Sequence, residues 1–136
     1  MYKTIDIIKD IILNDIDCLN TFVYNYNDIY GVRGSILADS DFFKQAEKLF
    51  LESTDIITKS IYLIKYRGSE LSNFGNDVID DVIKFLVEDN SGKYYWKDFI
   101  EGITRPLNNN QIEKLKTTEE YFGSNLYEIY RKKFNI

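Results

Sequence analysis

The residues best suited to chemistry are the aspartates and glutamates between Gly68 and Gly92. This segment holds six acids and one base, so its net charge equals the −5 of the whole chain. Within it, apolar residues of the stretch 73–90 recur at spacings of one, three and four, which predicts a helix with one buried side. The acids fall mostly beside or opposite that side. We therefore expect an acidic helix face that carries Asp77, Asp80, Asp81, Glu88 and Asp89, with Lys84 among them.

Carboxylates alone could act as the acid and base of a glycosidase, or hold magnesium. The chain has no histidine, which removes the Ser-His and Cys-His nucleophile pairs and every histidine metal site. Its glycines match no phosphate-binding fingerprint, and the single cysteine, Cys18, has no basic neighbour in sequence to favour a thiolate. We therefore expect no catalytic residue, no metal and no cofactor, and an enzyme that uses carboxylates stays a minor alternative.

A solvated helix face is the ordinary explanation of such an acid cluster. However, Asp77, Asp80 and Asp81 place three like charges within about one helical turn, and aspartate is a weaker helix former than glutamate. Glutamates interspersed with lysines would give solubility with a more stable helix. The choice of aspartate therefore favours a binding role, provided that the carboxylates are not turned inward or paired with lysines.

Tyrosine is the second unusual feature, with eleven in the chain. Most are expected to be half-buried, with the hydroxyl in solvent. Tyrosine and tryptophan beside carboxylates are typical of interfaces that hold basic side chains, because rings supply contact area and acids supply ion pairs. We therefore predict a surface that binds a basic protein, such as a nuclease cleft, and that consists of Asp77, Asp80, Asp81, Lys84, Glu88, Asp89, Tyr94 and Tyr95.

Composition limits the class of protein. A length of 136 residues with 44% hydrophobic content predicts a single domain, 1–136. No apolar run approaches the roughly 20 residues that cross a bilayer, and the N-terminal stretch is interrupted by Asp6 and Asp10. An acidic chain is also a poor binder of nucleic acid. We expect a soluble, cytoplasmic protein that contacts neither membrane nor nucleic acid directly.

Hydrophobic spacing predicts an all-α fold of six to eight helices in one compact bundle. Gly31 is a suitable cap for the end of the second helix, and Asp39-Ser40 for the start of the next. The β-branched stretch 56–66 could instead form a strand, which would give an α+β fold. A helix is predicted over Gln111 to Phe122, with Ile112, Leu115 and Phe122 facing inward. A last helix then ends in a basic turn that its dipole favours.

The N-terminal third carries a pattern of residues that matches a known protein family. The matching residues are Ile5-Asp6-Ile7, Lys9, Ile16, Phe22, Tyr30-Gly31-Val32, Ala46-Glu47 and Leu49-Phe50. Over about the first 50 residues, this pattern resembles the colicin D type of bacterial immunity protein and, through it, some immunity proteins of contact-dependent inhibition systems. The resemblance implies a small helical antidote that binds a tRNA-cleaving toxin domain through an acidic surface and blocks entry of the substrate.

These observations favour a non-catalytic immunity or antitoxin protein that inhibits a basic nuclease-type toxin. The first alternative is a phage protein that blocks a host nucleic-acid-binding complex by mimicking nucleic-acid charge. An interaction or structural protein whose acids are only solvated is also compatible with the sequence.

Overall fold

The computed structural model describes residues 2–26 and 40–136. In these ranges the chain forms α-helices and 3-10 turns and contains no β-strand, which confirms the all-α prediction. No helix of the described ranges has the length and apolar character needed to span a membrane. The helices are α1 (Tyr2–Asn14), α2 (Ile16–Tyr24), α3 (Ser40–Ser53), α4 (Ile56–Tyr66), α5 (Asn76–Glu88), α6 (Trp96–Gly102), α7 (Asn109–Leu115) and α8 (Leu126–Phe134), with 3-10 turns at Gly68–Asn73 and Gly92–Tyr95.

Contacts divide the chain into two compact units, Met1–Thr54 and Asp55–Ile136. We refer to them as the N-terminal unit, with α1 to α3, and the C-terminal unit, with α4 to α8. The prediction of a single domain stays a prediction. The expected cap at Gly31 and the Asp39 part of the next helix start lie outside the described residues.

The core of the N-terminal unit is aromatic. The ring of Phe22 in α2 lies 5.2 Å from that of Phe42 in α3, and the rings of Tyr26 and Phe43 stack at 3.9 Å. Helix α2 begins where the Asp15 carboxylate accepts hydrogen bonds from the backbone N–H groups of Asp17 and Cys18, which satisfies donors that a helix start leaves unpaired.

The stretch 56–66 is helix α4, so the alternative of a small sheet there is wrong. The side chain of Asp55 caps the helix by accepting a hydrogen bond from the Thr58 N–H at 2.8 Å. Ser60, Leu63 and Ile64 are buried along one side. An N-terminal cap and a buried helical stripe therefore outweigh the weak strand preference of the β-branched residues.

Helix α5 is the central element of the C-terminal unit and packs against both α4 and α7. Its inner side is apolar, as predicted, and buries Ile79, Val82, Ile83, Phe85 and Leu86. The buried indole of Trp96 donates a hydrogen bond to the Leu86 carbonyl at 2.9 Å. This bond ties the end of α5 to the start of α6.

The predicted helix over Gln111 to Phe122 is wrong after Leu115. The hydroxyls of Thr117 and Thr118 donate to the carbonyls of Lys114 and Leu115, and such bonds offer the backbone an alternative to further helix. Phe122, predicted to face inward, is 91% exposed. It lies in a tight turn whose ends, Tyr121 and Ser124, form an isolated antiparallel bridge.

Candidate partner-binding surface

The predicted acids of α5 lie on the side of the helix away from its buried residues. Asp77, Lys84 and Glu88 are exposed, whereas Asp80 and Asp81 are half-buried along the two edges of that side. This difference in burial separates the predicted site residues into two groups, one held within the fold and one open to solvent.

Asp81 is paired within the fold. Its carboxylate lies 2.6 Å from the Nζ of Lys59, whose side chain is 18% exposed against 42% for Asp81. The pair joins α4 to α5. The negative charge of Asp81 is therefore balanced by Lys59. The predicted binding surface required carboxylates that are not paired with lysines, and Asp81 does not meet this condition.

Asp80 is held on the opposite edge of α5. Its Oδ1 accepts a hydrogen bond from Gln111 Nε2 at 2.9 Å. Gln111 is only 2% exposed, and its Oε1 accepts from the Asn108 N–H while its own N–H donates to Asn108 Oδ1. This reciprocal cap starts α7. Asp80 therefore accepts a hydrogen bond from the side-chain amide of a buried capping residue.

Asp89 ends α5 with an extended backbone. Its carboxylate accepts hydrogen bonds from the hydroxyl and the backbone N–H of Ser91. These bonds lower the pKa of Asp89 below its ordinary value, because they favour the charged form, with the hydroxyl contributing most. Asp89 is thus an anion at neutral pH that also shapes the turn into the next segment.

Unpaired acids meet at the C-terminal end of α5. A cavity of about 360 Å³, which we call the acidic cleft, is lined by residues that include Glu88, Asp89, Lys93, Glu119 and Glu120. Glu88, Glu119 and Glu120 are exposed, and none of them has a hydrogen-bond or ion-pair partner among the described residues. One lysine thus faces four carboxylates, which gives the acidic cleft an excess of negative charge.

The sequence interpretation missed Glu119 and Glu120 because it placed both within a helix. The available indication was their position as adjacent acids directly before Tyr121 and Phe122. Only the fold brings them near Glu88, which lies more than 30 residues earlier in the chain.

Aromatic rings lie beside the acidic cleft: Tyr121 lines it, and the rings of Tyr94 and Phe122 contact that of Tyr121. We call Tyr94, Tyr121 and Phe122 the aromatic border. The ring of Tyr121 lies 5.7 Å from Tyr94, 4.4 Å from Phe122 and 6.3 Å from the buried Trp96. Tyr94 is 65% exposed. The border is therefore a surface feature that rests on the core through Tyr121.

The predicted pair Tyr94 and Tyr95 is split between two environments. Tyr95 is half-buried and its ring lies 5.8 Å from that of Phe85, so it contributes to packing against α5. Tyr94 instead faces Tyr121 and Lys93, whose Nζ lies 5.8 Å and 5.0 Å from the centres of the Tyr94 and Tyr121 rings. Burial raises the pKa of Tyr121 above its ordinary value, because it disfavours the charged form, so Tyr121 stays uncharged at neutral pH.

The arrangement has the chemical groups that suit binding of cations. Unpaired carboxylates attract ammonium and guanidinium groups, and the neighbouring rings add cation–π contact, as Lys93 already shows. In the described ranges, no three histidine, cysteine, aspartate or glutamate side chains cluster in a way that could hold a metal ion.

The resemblance of the N-terminal third rests partly on core positions, since Phe22, Ala46, Glu47 and Phe50 are buried, while Tyr30-Gly31-Val32 lies outside the described residues. Comparison of the chain with protein-family models, with curated proteins and with solved structures finds no significant match.

Proposed function

We propose that the chain is a non-catalytic acidic inhibitor, of the immunity or antitoxin kind, that binds a basic nuclease-type toxin domain and blocks its nucleic-acid substrate. The observation that supports this proposal is the convergence of the unpaired carboxylates Glu88, Glu119 and Glu120 on one cleft beside exposed rings. The proposed interface thus lies at the C-terminal end of α5 and in the segment before α8.

The two kinds of side chain would act on different steps of binding. Exposed carboxylates attract a basic partner over a distance of about 8 Å at physiological salt and so raise the association rate. Buried aromatic contact slows dissociation, which is where most affinity differences arise. Asp77, exposed in the first turn of α5, extends the negative potential along the helix.

Inhibition would follow from competition for the same cationic groups. A nuclease holds its substrate through lysine and arginine contacts to phosphates. Carboxylates that pair with those residues occupy the positions of the phosphates, so the enzyme stays folded but cannot bind nucleic acid. The chain needs no reaction of its own for this effect.

The proposal is tested by capture of the partner from the bacterial cells that express the chain, followed by mass spectrometry and binding kinetics. We expect the captured partner to be a basic nuclease domain. Its association rate with the Glu88→Lys, Glu119→Lys and Glu120→Lys triple variant should be at least about tenfold lower than with the wild type, and this rate should depend less on salt. The matched control carries the same charge change in the N-terminal unit, as Asp6→Lys, Asp10→Lys and Glu52→Lys.

The control variant should retain most of the wild-type association rate. An acidic or neutral partner, or equal effects of the two triple variants, would contradict the proposal. A basic partner that belongs to a host nucleic-acid-binding complex and has no nuclease activity would instead support charge mimicry against host defence.

A further inference from the structure

The turn at 121–124 has an unusual residue at its tip. Phe122 and Gly123 both have positive φ, 55° and 81°, and the N–H of Tyr121 donates to the Ser124 carbonyl at 2.8 Å. Two central residues with positive φ are the hallmark of the type I′ turn, in which the first position favours asparagine, aspartate or glycine. Phenylalanine therefore occupies a position where its own backbone preference is unfavourable.

Folding does not account for this choice. A bulky side chain rarely adopts positive φ, because its Cβ crowds the neighbouring backbone. The ring also gains little from burial, since Phe122 is 91% exposed. Asparagine would make the same turn with less strain and without apolar surface in water, so a benefit outside the fold of the single chain is indicated.

The ring of Phe122 nevertheless contacts a ring that packs on the core. It lies 4.4 Å from Tyr121, which in turn contacts the buried Trp96. Trp96 is fixed by its hydrogen bond to the Leu86 carbonyl. A side chain on such a support loses less freedom on binding than one on a flexible loop, and this pre-organisation favours affinity.

Charge beside the turn indicates the chemistry of the partner. Glu119 and Glu120 precede Phe122 by three and two residues, and both are exposed without an ion-pair partner in the described ranges. A partner that receives the ring must therefore accept negative charge next to it. Anionic membranes and nucleic acids do not meet this requirement, whereas a protein pocket edged with basic residues does.

We propose that Phe122 is the apolar anchor of the interface and inserts into an apolar pocket of the partner protein that is bordered by lysine and arginine side chains. The identity of that partner rests on the proposed function, but the role of Phe122 is tested separately. In this proposal, insertion of the Phe122 ring makes dissociation of the complex slow. The acids of the acidic cleft make its association fast.

Photo-crosslinking locates the anchor directly. Phe122 is replaced by p-benzoylphenylalanine, a photoreactive phenylalanine analogue, and the same analogue is placed at Glu88 in the acidic cleft and at the exposed Tyr66 of α4 as comparison sites. We expect position 122 to crosslink to the captured basic protein at an apolar segment next to lysine or arginine, with no crosslink from position 66. A crosslink from position 88 but not from 122 overturns the anchor and leaves the proposed function intact, whereas no crosslink from either position overturns both.

Dissociation kinetics give the second test. With the crosslinked protein as the purified probe, Phe122→Ala should raise the dissociation rate about tenfold or more and change the association rate less than twofold. Tyr66→Ala removes a different exposed ring and should leave both rates unchanged. Circular dichroism checks that Phe122→Ala is folded, and an unchanged dissociation rate in a folded variant overturns the anchor.

Discussion

Asp81 and Lys59 form an ion pair between α4 and α5, with 2.6 Å between the lysine Nζ and the carboxylate oxygen. The pair changes how the charge of α5 is understood. Asp80, Asp81 and Asp89 are each held by a neighbour within the fold. In the proposed interface, the exposed carboxylates that have no partner among the described residues are those of Asp77, Glu88, Glu119 and Glu120.

The ion pair should contribute modestly to stability. Because Asp81 is partly exposed, we expect Asp81→Asn to lower the free energy of unfolding by about 0.5 to 1 kcal/mol in urea denaturation. Glu88→Gln is the control, since Glu88 is exposed and unpaired in the described ranges, and it should change stability by less than about 0.5 kcal/mol. Equal losses for both variants would show that the Asp81 pair adds nothing specific.

Sequence reasoning succeeded where structure depends on local spacing. Apolar residues three and four apart predicted the buried stripe of α5, and Ile79, Val82, Ile83 and Leu86 are buried as expected. Val78, also predicted, is only half-buried, and the buried Phe85 was not predicted. Whether an acid of α5 is paired within the fold depends on residues that are distant in sequence. Lys59 is 22 residues from Asp81, and Gln111 is 31 residues from Asp80. No spacing rule connects such pairs, because the packing of α5 against α4 and α7 brings them together.

Local effects competed in two segments. For 56–66, the predicted helix is confirmed and the alternative strand is wrong, because the Asp55 cap and one-sided burial outweigh the β-branched residues. For 116–122, apolar spacing predicted a helix, but the helix ends at Leu115, where the hydroxyls of Thr117 and Thr118 donate to backbone carbonyls. The candidate site residues Glu119 and Glu120 were missed as a consequence of this error.

Close packing at Gly102 gives a sharp test of the C-terminal unit. A Cβ at Gly102 would lie 2.5 Å from the Gly68 carbonyl oxygen, whereas a Cβ at Gly68 would meet nothing within 4 Å. We expect Gly102→Ala to destabilise the chain by about 1 to 3 kcal/mol, as measured by thermal or urea unfolding. Gly68→Ala, the matched control, should be neutral or slightly stabilising. Comparable losses at both positions would contradict the close approach.

Phe122 should lower the free energy of unfolding, as expected for a residue that serves binding and not folding. Asparagine tolerates positive φ, so we expect Phe122→Asn to raise the free energy of unfolding by about 0.5 to 1 kcal/mol. Phe122→Ala removes the ring but keeps the Cβ that causes crowding, so it should change stability by less than about 0.5 kcal/mol. A loss above about 1 kcal/mol for Phe122→Asn would show that the ring supports the fold.

The hydrogen bonds of Asp89 predict a pH effect. Because they lower its pKa in the folded chain, their contribution to stability is present above the ordinary pKa of about 3.8 and is lost as pH falls through the lowered value. We expect Ser91→Ala to raise the pKa of Asp89 only partly, since the backbone N–H of residue 91 still donates. Carboxyl ¹³C NMR measures this pKa, and the exposed Ser69→Ala should leave it unchanged. An unchanged value in Ser91→Ala would contradict the role of the hydroxyl.

The most direct measurement is the nucleolytic activity of the captured partner domain, followed on an RNA substrate while the chain is titrated into the assay. We predict that activity disappears near one chain per partner domain, and that the Glu88→Lys, Glu119→Lys and Glu120→Lys variant requires at least about tenfold more protein. The control with Asp6→Lys, Asp10→Lys and Glu52→Lys should inhibit like the wild type. Full nuclease activity at saturating chain, or equal inhibition by both triple variants, would contradict an acidic inhibitor that acts through this cleft.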